Sequence, residues 1–184
     1  PQKTKGAISE VVPMREAITA GESVVASLAP SAVAYFHCSV EALKAALVKL
    51  QFAAAFETAE GAYLVKTEYE KLIAKQPGQV WISSCCSSVN LLIGKYYPAA
   101  LPYLAPVATP IQAHAKLLKE RFPAAKIAFI TPCVSKKAER YAIDSLIDYV
   151  ISFEELAELF REAGIVLMPD SGGEGQQYLS RKFP

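Results

Sequence analysis

A chain of 184 residues with 19 basic against 18 acidic side chains, net charge +1, carries neither the basic field that nucleic acid requires nor an acidic tail. Apolar residues make up 52% and charged ones 20%, the balance of one globular domain with a sizeable core. No apolar run approaches the roughly 20 residues of a membrane span, and no signal-peptide pattern is read in the opening residues.

The predicted elements alternate between strand and helix. SVVASLAP, 23–30, reads as a short buried strand ending at a proline, and VEALKAALVKL, 40–50, as a helix with Val40, Leu43, Leu47 and Leu50 on one face. AAAFETA, 53–59, is a second strand. Residues 60–76 form a second helix that stops before the breaker pair Pro77-Gly78. QVWISS, 79–84, is predicted as the third strand, followed by a helix over 88–97 that Pro98 ends. A helix over 111–121 leads to KIAFITP, 126–132, the clearest strand in the chain. Residues 135–142 are predicted helical and YVISF, 149–153, a final strand. Ser152 and Glu155 have the spacing of a capping box, Phe153, Leu156, Leu159 and Phe160 form a buried stripe, and Gly164 is placed to end that helix.

Such alternation predicts an α/β fold, a parallel sheet flanked by helices, with ligands beyond the C-terminal strand ends. Three segments leave that edge: Ala29-Pro30-Ser31, Ser84-Cys85-Cys86 and Thr131-Pro132-Cys133. The cysteines, Cys38, Cys85, Cys86 and Cys133, are irregularly spaced, and a chain of this length needs no disulfide framework. That predicts a reducing compartment and a cytoplasmic location. From the residues alone, three uses stay open: buried structural thiols, part of an iron-sulfur site, or reactive thiols at helix N-termini. Zinc is disfavoured because no short Cys-x-x-Cys pair exists. Lys136 lies one helical turn beyond Cys133, either facing an anionic ligand or solvated, and Glu139 is spaced to pair with it.

Together these segments resemble the catalytic domain of iron-only hydrogenases. That family carries Thr-Ser-Cys-Cys-Pro and Met-Pro-Cys-x-x-Lys-x-x-Glu; this chain has SSCCS at 83–87 and TPCVSKKAE at 131–139, with Pro132, Cys133, Lys136 and Glu139 in register. LAPS, 28–31, is similar to the family's first active-site loop, and TPIQAHAKLLKERF, 109–122, to the segment after the double cysteine. The resemblance runs over roughly residues 20–170 and implies one lobe of the iron-only hydrogenase catalytic domain.

In that family a four-iron cubane joined to a two-iron subcluster (the H-cluster) carries out reversible proton reduction. The resemblance implies Cys86 and Cys133 as two ligands of the 4Fe-4S cubane, and Cys85 as a proton-relay thiol. It implies Lys136 as a donor to a cyanide of the subcluster, and Pro30, Ser31 and Gln112 as pocket residues. Glu68 would be the proton-path glutamate. Ser87, Val89, Ile111 and Thr131 depart from the family's usual proline, tryptophan, glutamine and methionine. The third family motif, with two further cysteines, is absent.

These departures resemble divergent, sensor-type members. The expectation is therefore an N-terminal lobe over 1–184, with residues 1–20 a linker from a ferredoxin-like region. As a fragment it is expected to be inactive and without the native cofactor. Expected partners are electron-donating iron-sulfur domains of the same parent chain, a missing C-terminal lobe and downstream signalling domains, with no nucleic acid and no membrane span. Hydrogen or redox sensing in that parent is the leading reading. The alternatives are catalytic turnover of H2 by the full-length protein, and a non-catalytic iron-sulfur binding, assembly or interaction domain.

Overall fold

The structure, a computed structural model, describes residues 8–142 and 144–168. The expectations placed on PQKTKG at the start and YLSRKFP at the end lie outside the described residues.

Four short apolar runs form one parallel sheet: β1 (Val24–Leu28), β2 (Ala54–Glu57), β3 (Lys126–Thr131) and β4 (Tyr149–Ser152), in the order β2-β1-β3-β4. Every residue of β1 and β4 is buried, as is β3 beyond Lys126. Strands covered on both faces read as continuous apolar runs rather than alternating ones. The central pair aligns Val25 with Ile127 and Ser27 with Phe129.

Seven α-helices accompany the sheet among the described residues: α1 (Val11–Thr19), α2 (Ala32–Phe36), α3 (Val40–Lys49), α4 (Ala59–Lys75), α5 (Ser87–Tyr96), α6 (Pro110–Arg121) and α7 (Phe153–Glu162). Local chemistry sets several of their starts. The Ser39 and Thr109 side chains accept the N–H groups of Ala42 and Gln112, and Pro110 occupies the first turn of α6, where no backbone donor is needed. The capping box of α7 is formed: Ser152 Oγ accepts Glu155 N–H at 3.1 Å, and Glu155 Oε2 accepts Ser152 N–H at 2.7 Å. Gly164 follows with φ of 64°, the left-handed conformation that closes a helix most cheaply in glycine. Phe153, Leu156, Leu159 and Phe160 are all buried, and Phe36 of α2 packs against Phe153 and Phe160. Each such side chain contributes about 1.5–3 kcal/mol by leaving water.

The structure corrects the sequence expectation at QVWISS. Residues 79–84 form no strand of the sheet; only Ile82 makes a parallel bridge, to Leu104, and Val80 is 70% exposed. An apolar run becomes a strand only where an edge is available to pair with, and both edges of this sheet are elsewhere. Helix 135–142 is a 3-10 helix, Val134–Tyr141, and a second 3-10 helix spans Pro98–Tyr103. Within the stretch expected to be linker, Val11–Thr19 form α1, with Met14 and Ala17 buried against the core.

Because β1 connects to β2 on one side and pairs with β3 on the other, the strand order reverses between β1 and β3. In open parallel sheets that reversal opens a crevice beyond the strand ends. Ala29-Pro30-Ser31 leaves β1, and Thr131-Pro132-Cys133 leaves β3, at this point.

Candidate functional site

The double-cysteine turn reaches this edge by side-chain and loop bonding rather than as the end of a strand. Its hub is Tyr69, on α4. The Tyr69 hydroxyl accepts Ser84 N–H at 2.8 Å and lies 3.0 Å from Ser84 Oγ and 3.2 Å from Ser83 Oγ. Ser84 Oγ donates its own proton to Val107 O at 2.6 Å, so it accepts from Tyr69. Asn90 Nδ2 donates to Ser84 O at 2.8 Å, fastening the turn to α5. Cys85 is half-buried, with its Sγ 4.0 Å from the Tyr69 oxygen.

Cys86 and Cys133 occupy equivalent positions. Cys86 is the N-cap of α5 at φ −104°, ψ 110°, and Cys133 the N-cap of the 3-10 helix Val134–Tyr141 at φ −103°, ψ 105°. Both are exposed, and neither side chain makes a capping hydrogen bond. Each thiol therefore sits beside first-turn N–H groups that lack intrahelical partners, an environment favourable to a thiolate or another anion. Cys133 N–H donates to Thr131 Oγ1 at 3.1 Å, which orients the turn out of β3. Two residues beyond each cysteine a serine closes the seam, with Ser88 Oγ 2.6 Å from Ser135 Oγ.

Lys136 joins the two turns. Its Nζ donates to Cys85 O at 3.2 Å and to Glu139 Oε1 at 2.5 Å. The Glu139 side chain is only 8% exposed, and its other oxygen accepts the Thr109 hydroxyl at 2.5 Å. Gln112 Nε2 donates to Glu139 O at 3.1 Å. A buried carboxylate needs a paired cation and further donors, and Glu139 has both.

The sequence-predicted residues thus divide. Cys85, Cys86, Cys133, Lys136 and Gln112 are brought into one bonded neighbourhood. Pro30 and Ser31 leave the same sheet edge, at the end of β1. Glu68 lies on α4 beside Tyr69 in sequence, but its side chain is 57% exposed and takes a hydrogen bond from Lys71 at 2.7 Å. That bond, with the charge of Lys71, holds the Glu68 carboxyl below the usual range. Tyr69, Thr109, Ser88 and Ser135 stand outside the sequence-predicted set. Only Thr109 carries a local signal, as the cap before Pro110; the others are defined by partners distant in the chain.

Iron-sulfur sites commonly use four cysteine thiolates. Among the described residues no group of three or more His, Cys, Asp or Glu side chains gathers to hold a metal. Cys86 and Cys133 are two exposed thiols on turns of matching backbone geometry. Asn90, whose Nδ2 fastens the double-cysteine turn, has a buried Oδ1 with no hydrogen-bond partner among the described residues. No described helix is long and apolar enough to cross a membrane.

A family model described as iron only hydrogenase large subunit, C-terminal domain, matches residues 22–180. Solved structures with this fold include an FeFe-hydrogenase studied for oxygen inactivation through modification and degradation of the H cluster 2Fe subcluster. It has TM-score 0.68 and 22% identity, over 87% of this chain and 49% of that one. HydA(deltaEFG), from work on stepwise H-cluster assembly, gives 0.68 and 24%, over 87% and 48%. An apo variant of FeFe-hydrogenase HydA1 from Chlamydomonas reinhardtii gives 0.66 and 24%, over 87% and 49%. The chain spans about half the length of these solved chains. No curated protein matches it.

Proposed function

The chain belongs to the iron only hydrogenase large subunit, C-terminal domain family, and from that membership we propose that it is a half-site for an iron-sulfur redox centre. Cys86 and Cys133 contribute two of the four thiolates, and the remaining half of the domain contributes the others. The observation that carries this reading is the matched pair of exposed, helix-capping cysteines, joined by the Ser88–Ser135 bond at 2.6 Å. A bound four-iron cluster with its two-iron subcluster would supply electron transfer and proton reduction. The chain's own residues hold the ligands in place. Lys136, fixed by Glu139 and Cys85 O, presents an ammonium at the rim of the site, suited to an anionic ligand such as cyanide. Cys85, half-buried beside Tyr69, is the thiol facing the reacting centre. Pro30 and Ser31 wall the site from the β1 side, and Gln112 supports it through Glu139.

The role we assign in the parent protein is hydrogen or redox sensing, with electrons arriving from iron-sulfur domains of the same chain and the output passing to signalling domains. What supports sensing over bulk turnover is the set of departures at Ser87, Val89, Ile111 and Thr131. Glu68, tied to Lys71 on an exposed face, offers weaker support for a proton path than Cys85 and Tyr69 do.

The test is infrared spectroscopy with iron counting on the full-length parent, matured without oxygen and supplied with the two-iron cofactor. Carbon monoxide and cyanide bands that shift under H2 without steady turnover support sensing. Sustained H2 production moves the assignment to catalysis. Iron without those bands makes the domain a cluster-binding relative, and no iron at all overturns the cluster reading.

A further inference from the structure

A 3-10 helix repeats every three residues, so side chains at i and i+3 stand in one row. In the helix Val134–Tyr141 this sorts the charges into two rows. Cys133, Lys136 and Glu139 form one, and it faces the double-cysteine turn. Lys137 and Arg140 form the next, and it faces away.

The second row is bonded with unusual completeness for surface-type residues. The Lys137 ammonium, on a residue 8% exposed, donates to Ile8 O and Val150 O at 3.0 Å each and to both oxygens of Glu155, at 3.1 and 2.9 Å. Glu10, 2% exposed, takes Arg140 Nη1 at 2.5 Å, Val150 N–H at 2.5 Å and the Tyr141 hydroxyl at 3.3 Å. The segment Ile8–Glu10, entering α1, is thus latched to the far side of the helix whose near side carries the cysteine, while β4 and the cap of α7 form the wall behind. Charges this buried hold a geometry firmly, because removing one partner leaves the other unpaired out of water.

We propose that Glu10, Lys137 and Arg140 are positioning residues for the cysteine site, so that a displacement of the segment entering α1 reaches Cys133 and Lys136 through one turn of 3-10 helix. From there it passes to the double-cysteine turn through Lys136 and Cys85 O and through Ser135 and Ser88. The inference deepens the half-site reading by naming a route into it, and rests on that reading only for what the cysteines bind.

The experiment is amide hydrogen exchange read by mass spectrometry on this chain, with no iron present, so its outcome is independent of whether the cysteines hold a cluster. Glu10→Gln keeps the shape and removes the charge, Lys137→Met removes the ammonium, and Arg15→Ala, which breaks the exposed Arg15–Glu162 pair between α1 and α7, is the control. The expected result is a loss of protection on the order of tenfold at 134–141 and again at 84–88, with β1 and α3 unchanged and the control silent. Loosening confined to 134–141 overturns the proposal. So does a uniform loss that includes β1 and α3, which is a contribution to global stability alone. Should Lys137→Met fail to fold, Glu10→Gln carries the test.

Discussion

Ser88 and Ser135, each two residues beyond a helix-capping cysteine, share a hydrogen bond of 2.6 Å. The bond ties the first turn of α5 to the first turn of the 3-10 helix, and so sets the separation of Cys86 and Cys133. It is exposed, so Ser135→Ala is expected to cost only about 0.5–1 kcal/mol in urea unfolding. A loss above about 2 kcal/mol would show that the seam carries more of the fold than this bond accounts for.

Lys136 and Glu139 form a buried pair, with side chains 14% and 8% exposed. Lys136→Met leaves Glu139 with Thr109 alone, and a loss of about 3 kcal/mol is expected from equilibrium unfolding. The double variant with Glu139→Gln recovers part of that loss, because the stranded charge is gone. Additive single and double effects would mean the two side chains do not interact.

Tyr69→Phe removes the acceptor of Ser84 N–H and the donor to Ser84 Oγ. The expected cost is about 1–2 kcal/mol. The more specific consequence is faster alkylation of Cys85 while buried Cys38 stays protected, measured peptide by peptide. Equal acceleration at both cysteines would indicate general loosening instead.

Gly61 lies where α4 crosses α6, and a Cβ built there would stand 2.3 Å from Pro110 O and 2.6 Å from His114 Cβ. Backbone and a buried ring cannot yield as a flexible side chain does. Gly61→Ala is expected to force the helices apart at a cost of about 1–3 kcal/mol or more, visible as a lowered Tm. An unchanged Tm would show that this crossing shifts freely.

His114 is fully buried, with Nδ1 2.7 Å from Ser27 Oγ, which in turn meets Thr58 Oγ1 at 2.8 Å. Burial disfavours the imidazolium and pushes the pKa from 6.5 down to about 4, with Arg121 adding to the shift and Glu60 opposing it. The native state therefore holds the neutral ring, so this stability is present above pH 6.5 and is lost as pH falls toward 4. Between pH 7 and pH 5 the loss attributable to His114 is about 2 kcal/mol. Urea titrations of wild type and His114→Gln at both pH values check it: the variant should lack that increment of the pH dependence.

Much of the sheet is legible in the sequence because its signals are local. KIAFIT and YVIS are continuous apolar runs, and the capping box of Ser152 and Glu155 lies within four residues. QVWISS misleads for the complementary reason: its composition suits a strand, but pairing depends on an edge that only the assembled sheet presents. The cysteines, Lys136 and Glu139 can be singled out by spacing. That Lys136 reaches Cys85 O across 51 residues cannot.

By itself, then, the sequence determined the parallel α/β class, the helix starts that rest on local caps, and the residues that mark the family, because each depends on neighbours a few positions away. Only the tertiary structure decided which cysteines cap matching turns, that Tyr69 holds the double-cysteine turn, and that Glu10 and Lys137 lie buried. A charge leaves water only when its partners are in place, and the partners of Glu10 are more than 100 residues along the chain.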